Sequence, residues 1–579
     1  MQRDDMDIFN NKTPARLDRR RFVQGLGGSA LLLSSQWPTT LRAEQRAIPE
    51  IDGYSIDLEI GPTPVNFTGK QRTAVSVNGS VPAPILRWRE GDIVTIRVTN
   101  RLKETASIHW HGLILPMEMD GVPGLSYDGI PPGGSFTYQF PLQQAGTYWY
   151  HSHSGFQEQL GLYGAIVIEP REPQPYAYDR DYIVMLSDWT DENPMQVFKN
   201  LKNDSEFYQA RRRTLSDTFT TIQEKGLSKT WRDRRMWNQM RMSDRDISDV
   251  TGATYTFLMN GVTPADQWRA LFKNGEKVLL RFINAGAMTL FDVRIPGLEM
   301  TVVATDGQNI EPVTVDEFRI GSAETYDVIV KPTSDIAYAI FAQAIDRSGY
   351  AIGALTPDMT LTAEIPRIDP YPQLSMTDMG MNMDTDMDMS DASHAHHHHD
   401  SPSAVNHPST ENNFGVGMQA SNPQQRLDDP GVGLRDRSWR VLTYSMLRRL
   451  DRTPLPEPER EIQLHLTGNM NRYMWSFNGV PFADAEPVYL KYGETVRITL
   501  TNDTMMHHPI HLHGMWSDLE TGSEGQFARK HTITVQPGQQ LSYQVTANAM
   551  GRWAFHCHLL YHMDSGMFRV VDVSRDGRS

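Results

Sequence analysis

Two stretches from opposite ends of this 579-residue chain share one spacing. Pro132-Gly133, Gly146 and His151-Ser152-His153 are matched by Pro537-Gly538, Gly551 and His556-Cys557-His558, at intervals of 13 and 5 residues in both. Such a match implies one supersecondary unit used more than once. A second repeat extends it to three. Asn78-Gly79, Glu90-Gly91-Asp92 and Asn100 are answered by Asn260-Gly261, Asn274-Gly275-Glu276 and Asn284, and again by Asn478-Gly479, Tyr492-Gly493-Glu494 and Asn502. From the second glycine to the closing asparagine is nine residues each time. The runs between, such as Ile93–Val98 and Val496–Leu500, alternate like half-buried strands. With 43 glycines and 35 prolines, the chain suits many short strands joined by turns. Each repeat reads as an antiparallel sandwich or Greek-key barrel. The length exceeds one core and corresponds to roughly three or four domains.

Cys557 is the sole cysteine, so it makes no intramolecular disulfide. Cys557, His562 and Met567 follow one another at intervals of five. They offer a thiolate, an imidazole and a thioether, the donors of a blue-copper site, which needs one more imidazole. His508, in His508-Pro509-Ile510-His511-Leu512-His513, is the candidate. His-x-His occurs at His109/His111, His151/His153, His511/His513 and His556/His558. Eight imidazoles in alternation cost too much to bury unless something binds them. His556 and His558 flank Cys557 in an extended segment, so they point away from the thiol toward a different metal centre. In the first copy Ser152 replaces Cys557, Gln157 replaces His562 and Leu162 replaces Met567. That copy keeps its His-x-His pair and lacks a blue site. The middle repeat, about 172–365, has no histidine.

Three segments depart from the repeat. Residues 1–43 contain Arg19-Arg20-Arg21-Phe22-Val23, a short weakly polar run over Gly25–Leu33, and Leu41-Arg42-Ala43. This reads as a twin-arginine export leader with a small-residue cleavage site, too short to span a bilayer. Residues about 191–249 contain Met195, Arg211-Arg212-Arg213, Trp231, Trp237 and Met242 with few β-branched residues. They read as helices laid over the second domain as a solvated amphipathic cover. Residues 366–437 contain Met376, Met379, Met381, Met383, Met387 and Met389 among aspartates, then His394, His396, His397, His398 and His399. That composition reads as a mobile, disordered linker with possible accessory copper donors. A formal charge of −15 argues against a nucleic-acid partner.

The four His-x-His motifs with Cys557 between the last pair resemble the copper signatures of multicopper oxidases. The twin-arginine leader, the Met/His-rich tract and the segment Gly433-Leu434-Arg435-Asp436 through Val441-Leu442-Thr443-Tyr444 resemble the bacterial copper-resistance protein A family of periplasmic multicopper oxidases. The resemblance covers essentially the whole chain. It implies an all-β fold of three consecutive cupredoxin-like domains, with a helical insert. The boundaries read 44–171, 172–365 with the insert, and 438–579 after the linker. It implies four copper ions: type 1 on His508, Cys557, His562 and Met567, type 2 on His109 and His511, and a type 3 pair. His111, His151 and His558 would hold one type 3 ion, and His153, His513 and His556 the other. The cluster would then lie between the first and third domains, with the histidine-free domain as a spacer. Cys557 and its neighbouring histidines would carry electrons from the blue site to the cluster. Asp120, in Met119-Asp120-Gly121, would orient water or move protons near the type 2 ion; a turn aspartate is the alternative. Some relatives place an acid directly after the second blue-site histidine, where this chain has Met563.

Three functions fit. The first is an oxidase that converts Cu(I) to Cu(II) at the expense of O2, serving copper resistance; soft thioethers select Cu(I), and the chain has 29 methionines. The second is a laccase-like oxidase of phenols or aromatic amines. The third is a copper-sequestering protein working through the Met/His tract. The expected location is the periplasm, reached by the twin-arginine machinery, with other periplasmic or outer-membrane copper-handling proteins as possible partners and no transmembrane segment in the mature chain.

Overall fold

A computed structural model of the protein describes residues 47–381, 405–522 and 525–577. The repeated asparagines of the sequence carry one structural device three times. Asn78, Asn260 and Asn478 take positive φ of 50°, 52° and 51°, each followed by a glycine at positive φ. Two successive residues of that conformation close a tight turn with a single bridge, Val77 to Ser80, Met259 to Val262 or Phe477 to Val480, after which the chain passes to the other sheet. The same side chains accept backbone N–H groups of Glu59, Met185 and His465, each at 2.7 Å. The closing asparagines Asn100, Asn284 and Asn502 are fully buried. Each donates from Nδ2 to one carbonyl four or five residues on, that of Glu104, Thr289 or Met506, and to a distant one, Ile130, Ile320 or, for Asn502, both Val535 and Gln536.

The strands form three consecutive pairs of sheets. A four-stranded sheet (Arg72–Val77, Ser55–Val65, Ile93–Asn100, Ser135–Pro141) belongs with a five-stranded one ending in Gly146–His151 and His109–His111. The second and third pairs each contain a six-stranded and a five-stranded sheet with the same strand order. The sheets are mixed rather than purely antiparallel. Ser55–Val65, Arg180–Trp189 and Arg460–Asn469 each pair in parallel with the later strand Ile93–Asn100, Val278–Asn284 or Thr495–Asn502. The intervening chain crosses to the other sheet before returning, which is what makes the parallel pairing possible. The first domain has its own apolar core, whereas one contiguous apolar cluster runs through the second and third.

The insert forms three helices, Pro194–Asn203, Leu215–Lys225 and Leu227–Met240. Asn193 caps the first, accepting from Met195 N–H with Pro194 at the first turn. The Thr214/Asp217 capping box starts the second. The first helix buries Val197 and Leu201 and reaches beyond the second domain: Phe198 stacks on Tyr561, and Lys202 Nζ donates to Tyr473 O at 2.7 Å. The cover therefore bridges to the third domain.

The linker expectation over 366–437 requires correction. Residues 382–404, with Met383, Met387, Met389, His394, His396, His397, His398 and His399, lie outside the described residues, as does the leader 1–43. The flanks are packed. Met376 and Met379 are buried in the core, Met381 packs against it, Leu374 N–H donates to Asp244 O, and Asn422 N–H to Gly380 O. The surrounding aspartates hid this. Asp378 turns back to cap Ser375 and faces Arg435, which leaves the methionines free to face inward. Among the described residues, no helix is long and apolar enough to cross a membrane.

Candidate metal centre

Strand register brings the histidines together. His109 lies opposite His151, and His511 opposite His556, in equivalent strand pairs of the first and third domains. The two pairs meet face to face: His109 stacks on His513 at 3.9 Å between ring centroids, and His111 on His511 at 3.8 Å. His151 and His558 rings lie 4.9 Å apart, and His153 and His556 rings 5.1 Å apart. All eight expected imidazoles form one cluster, seven of them buried and His153 partly so.

Most of the rings are turned by partners outside the cluster. His109 Nδ1–H donates to Asp120 O at 2.7 Å and His511 Nδ1–H to His531 O at 2.6 Å. His513 donates to Asp120 Oδ2 at 2.9 Å, His151 to Glu158 Oε2 at 2.6 Å, and His556 to Cys557 O at 2.9 Å. With Nδ1 a donor, Nε2 keeps its lone pair and points inward. His109 Nε2, His511 Nε2 and His153 Nε2 are buried with no hydrogen-bond partner. His111 is turned the other way: its Nε2 faces Thr532 Oγ1 and His531 Nδ1, each at 3.1 Å, and its Nδ1 is the orphan. His513 Nε2 and His556 Nε2 sit 3.1 Å apart although both rings already donate from Nδ1. Two lone pairs at that distance repel unless a cation lies between them. Burial pushes His111, His151, His153, His511, His513 and His558 well down, and His556 to about 3, so the rings stay neutral and able to ligate.

The second centre is one residue away. Cys557 Sγ lies 3.5 Å from His508 Nδ1 and 3.9 Å from His562 Nδ1, and the two nitrogens are 3.2 Å apart. Three soft or borderline donors converge on one point. Met567 is fully buried, and its backbone closes the loop: Cys557 N–H donates to Met567 O and Met567 N–H to His562 O, both at 3.1 Å. Burial pushes the thiol well up, so a thiolate here needs a cation beside it. His508 Nε2 pairs with Thr504 Oγ1 at 2.7 Å; His562 Nε2 donates to Asp249 Oδ2 at 2.6 Å and its ring stacks on Trp475 at 3.8 Å.

Several contributors carry no spacing signal. His531 is a buried ninth imidazole against His111, pushed down to about 4 by burial. Gly112 makes room for it: a Cβ there, already strained at φ +82°, would come 2.4 Å from His531 Cδ2. Glu158 sits six residues after Ser152 as Met563 sits six after Cys557, and burial pushes it up to about 8. The acid that some relatives carry in the third repeat thus has a counterpart in the first. The Asp120 carboxylate lies between His109 and His513, 3.3 Å and 2.9 Å from their Nδ1 atoms. The histidine-free domain is also more than a spacer. Asp249 holds His562, Ser322 Oγ lies 3.4 Å from His558 Nδ1, and Asp306 accepts from His531 N–H and Thr532 N–H. Met505, Met506 and Met515 are buried, while Met550 is half exposed.

A thiol with two imidazoles, one residue from a cluster of eight imidazoles with orphaned nitrogens, on three two-sheet domains, defines a copper protein of the multicopper oxidase class. Three family profiles described as multicopper oxidase match residues 59–173, 180–359 and 455–577. A Copper resistance protein A homolog of Pseudomonas syringae pv. tomato is 54% identical over 97% of this chain and 100% of its own. A Copper resistance protein A of Escherichia coli is 51% identical over 96% and 99%. Among solved structures, a multicopper oxidase that functions in iron import superposes with a TM-score of 0.63 at 19% identity, covering 91% of both chains. A laccase from Botrytis aclada gives 0.62 at 20%, covering 92% of this chain and 89% of its own. These two likenesses concern the fold alone. The chain belongs to the multicopper oxidase family and, within it, to the copper resistance protein A group. Copper is its cofactor, in the family's arrangement of four ions.

Proposed function

We propose that the protein is a periplasmic oxidase that takes single electrons from Cu(I) and passes them to O2, lowering the toxicity of copper. The relatives named Copper resistance protein A support the physiological half of this reading. The proposed ligands are His508, Cys557, His562 and Met567 for type 1, supported by the convergence of the first three, and His109 and His511 for type 2, supported by their orphaned Nε2 atoms. His111, His151 and His558 take one type 3 ion, and His153, His513 and His556 the other. Copper bound at these sites would supply one-electron redox chemistry, one electron from the first site and three from the ions of the cluster making up the four that O2 requires. The chain's own residues do the rest. The Cys557 backbone joins the blue site to His556 and His558 covalently. Asp120 and Glu158 fix the ring orientations of His109, His513 and His151 and place carboxylates where protons are consumed.

The observation that carries the choice of Cu(I) is the surroundings of His562. Its ring is fully buried beneath Trp475 and Tyr473, with the helix Pro194–Asn203 packed on Tyr473 and Tyr561. A phenol has no open edge of that imidazole to approach. Asp249 Oδ2 accepts from His562 and from Tyr473 OH, while its Oδ1 is buried without a partner. That free carboxylate oxygen can hold a substrate cation one residue from the electron acceptor. Met381 and the tract of Met383, Met387, Met389, His394 and His396 to His399 would gather copper; Met376 and Met379, being core residues, leave the accessory set. Export by the twin-arginine route remains part of the same proposal. Steady-state kinetics on the copper-loaded protein test it: kcat/KM for Cu(I) exceeds that for a phenol, and the reverse order would reject it.

A further inference from the structure

Four side chains away from both copper centres form a second type of ligand set. His407 and Glu411 stand one helical turn apart on the segment that begins at residue 405. His465 lies on the strand Arg460–Asn469, and Asp503 follows the strand Thr495–Asn502. His407 Nδ1 is 3.0 Å from Glu411 Oε2 and 3.4 Å from Asp503 Oδ2. His465 Nδ1 is 2.6 Å from Asp503 Oδ2 and 3.4 Å from Glu411 Oε1. Glu411, His465 and Asp503 are each at least 98% buried.

The outer hydrogen bonds aim these groups at one another. His407 Nε2–H donates to Ala420 O, which turns Nδ1 toward the two carboxylates. Ala420 N–H donates to Asp503 Oδ1, and Gln419 Nε2 donates to Glu411 Oε2. Glu411 Oε1, in contrast, is buried and accepts no hydrogen bond. A buried carboxylate oxygen without a donor is costly and marks a missing partner.

We propose that His407, Glu411, His465 and Asp503 bind a divalent late first-row metal ion, Zn(II) or Cu(II), as a site separate from the four catalytic coppers. Two imidazoles and two carboxylates suit Zn(II) in a tetrahedral arrangement or Cu(II) in a tetragonal one. Ligands about 2.0–2.1 Å from a tetrahedral ion stand roughly 3.3 Å apart. Three of the four imidazole–carboxylate separations, 3.0, 3.4 and 3.4 Å, are close to that, with Glu411 facing His407 through Oε2 and His465 through Oε1. The fourth, the 2.6 Å hydrogen bond of His465 to Asp503, opens when the metal takes the proton's place. The set lacks sulfur, which separates it from the methionine donors and disfavours Cu(I). Without metal the cluster is neutralised by protons: the hydrogen bond to Asp503, then charge from both carboxylates, pushes His407 up to about 9.

The test uses the full-length, copper-loaded enzyme. One equivalent of Zn(II) is added, excess is removed by gel filtration, and retained zinc is counted and examined by X-ray absorption. The expected outcome is a shell of nitrogen and oxygen with two imidazoles and two carboxylates, and one more zinc per chain than in a His407→Gln/Glu411→Gln variant whose blue absorbance is unchanged. Glu411→Gln alone serves if the double variant does not fold. Equal zinc in enzyme and variant, or an all-imidazole shell, overturns the site. A challenge with equimolar Cu(II) then identifies the occupant: displacement of zinc with a new Cu(II) EPR signal assigns copper, and retention assigns zinc.

Discussion

The segments His151–Leu162 and His556–Met567 are one backbone carrying two chemistries. Ser152 N–H donates to Leu162 O at 3.2 Å as Cys557 N–H donates to Met567 O at 3.1 Å. Leu162 N–H donates to Gln157 O at 3.0 Å as Met567 N–H donates to His562 O at 3.1 Å. The side chains differ. Ser152 Oγ donates to Gln157 Oε1 at 3.0 Å, where Cys557 Sγ faces His562 Nδ1 at 3.9 Å. A further difference lies three residues before the first His-x-His of each copy: Ala106 bridges to Ile130 as His508 pairs with Val535. Four side chains thus separate a hydrogen-bonded plug from a redox site. The sheet fixes where the donors stand, and the residues in those places decide whether a metal can be held.

Removing the thiolate should have the largest effect. Cys557→Ser makes the third copy resemble the first, and abolishes the blue absorption near roughly 600 nm that thiolate-to-copper charge transfer produces at such sites. Oxidase activity falls by roughly 10⁴-fold or more, the scale of losing an essential catalytic group. The fold persists, because the three sandwich cores do not depend on Cys557; unchanged far-UV circular dichroism checks this. A blue mutant would break the assignment.

The His-x-His pairs are what the two copies share, so their loss should be symmetric. His109→Ala in the first domain and His511→Ala in the third each leave the blue band in place. Each slows reoxidation by air by roughly a hundredfold or more, beyond the roughly 10–100-fold cost of losing an outer-shell partner. Stopped-flow reduction followed by exposure to O2 reads both steps. Normal reoxidation in either variant would show that the copies are not equivalent halves of one cluster.

Much of this was legible in the sequence for a definite reason. His-x-His on a strand puts two imidazoles on one face, and the matched spacings put those strands at equivalent places in the repeats. Residues that act by tertiary approach left no such signal. His531 is a lone histidine, Ser322 and Asp249 lie in a domain without histidine, and Glu158 belongs to a repeat that has no blue site. Composition also misled: aspartates around Met376 and Met379 suggested a solvated tract, yet Ser375, Arg426 and Arg435 engage Asp378 and the methionines turn into the core.

Asp249 supports His562, and the Gln157 of the first copy has no role for such a group. Asp249→Asn should keep the blue band yet lower kcat/KM for Cu(I) by about 10–100-fold, the range for outer-shell partners of metal ligands. KM should rise if the free Oδ1 receives the substrate ion. An unchanged rate would leave the buried carboxylate without a function at this site.

The smallest effect is expected where the copies are most alike. Ser152→Cys restores a thiol to the first copy at the position of Cys557. It should produce no second blue band and no change in Cu(I) oxidation, because the neighbouring positions hold Ala106, Gln157 and Leu162 in place of imidazoles and thioether. A lone buried thiol has no partner donors to complete a trigonal site. The cost is the Ser152–Gln157 hydrogen bond, about 1 kcal/mol of stability, read by denaturant titration. Visible absorption at full copper loading, normalised to the wild-type band, provides the measurement. A second band would mean that a thiol in this backbone is enough to bind blue copper and that the other three differences are incidental.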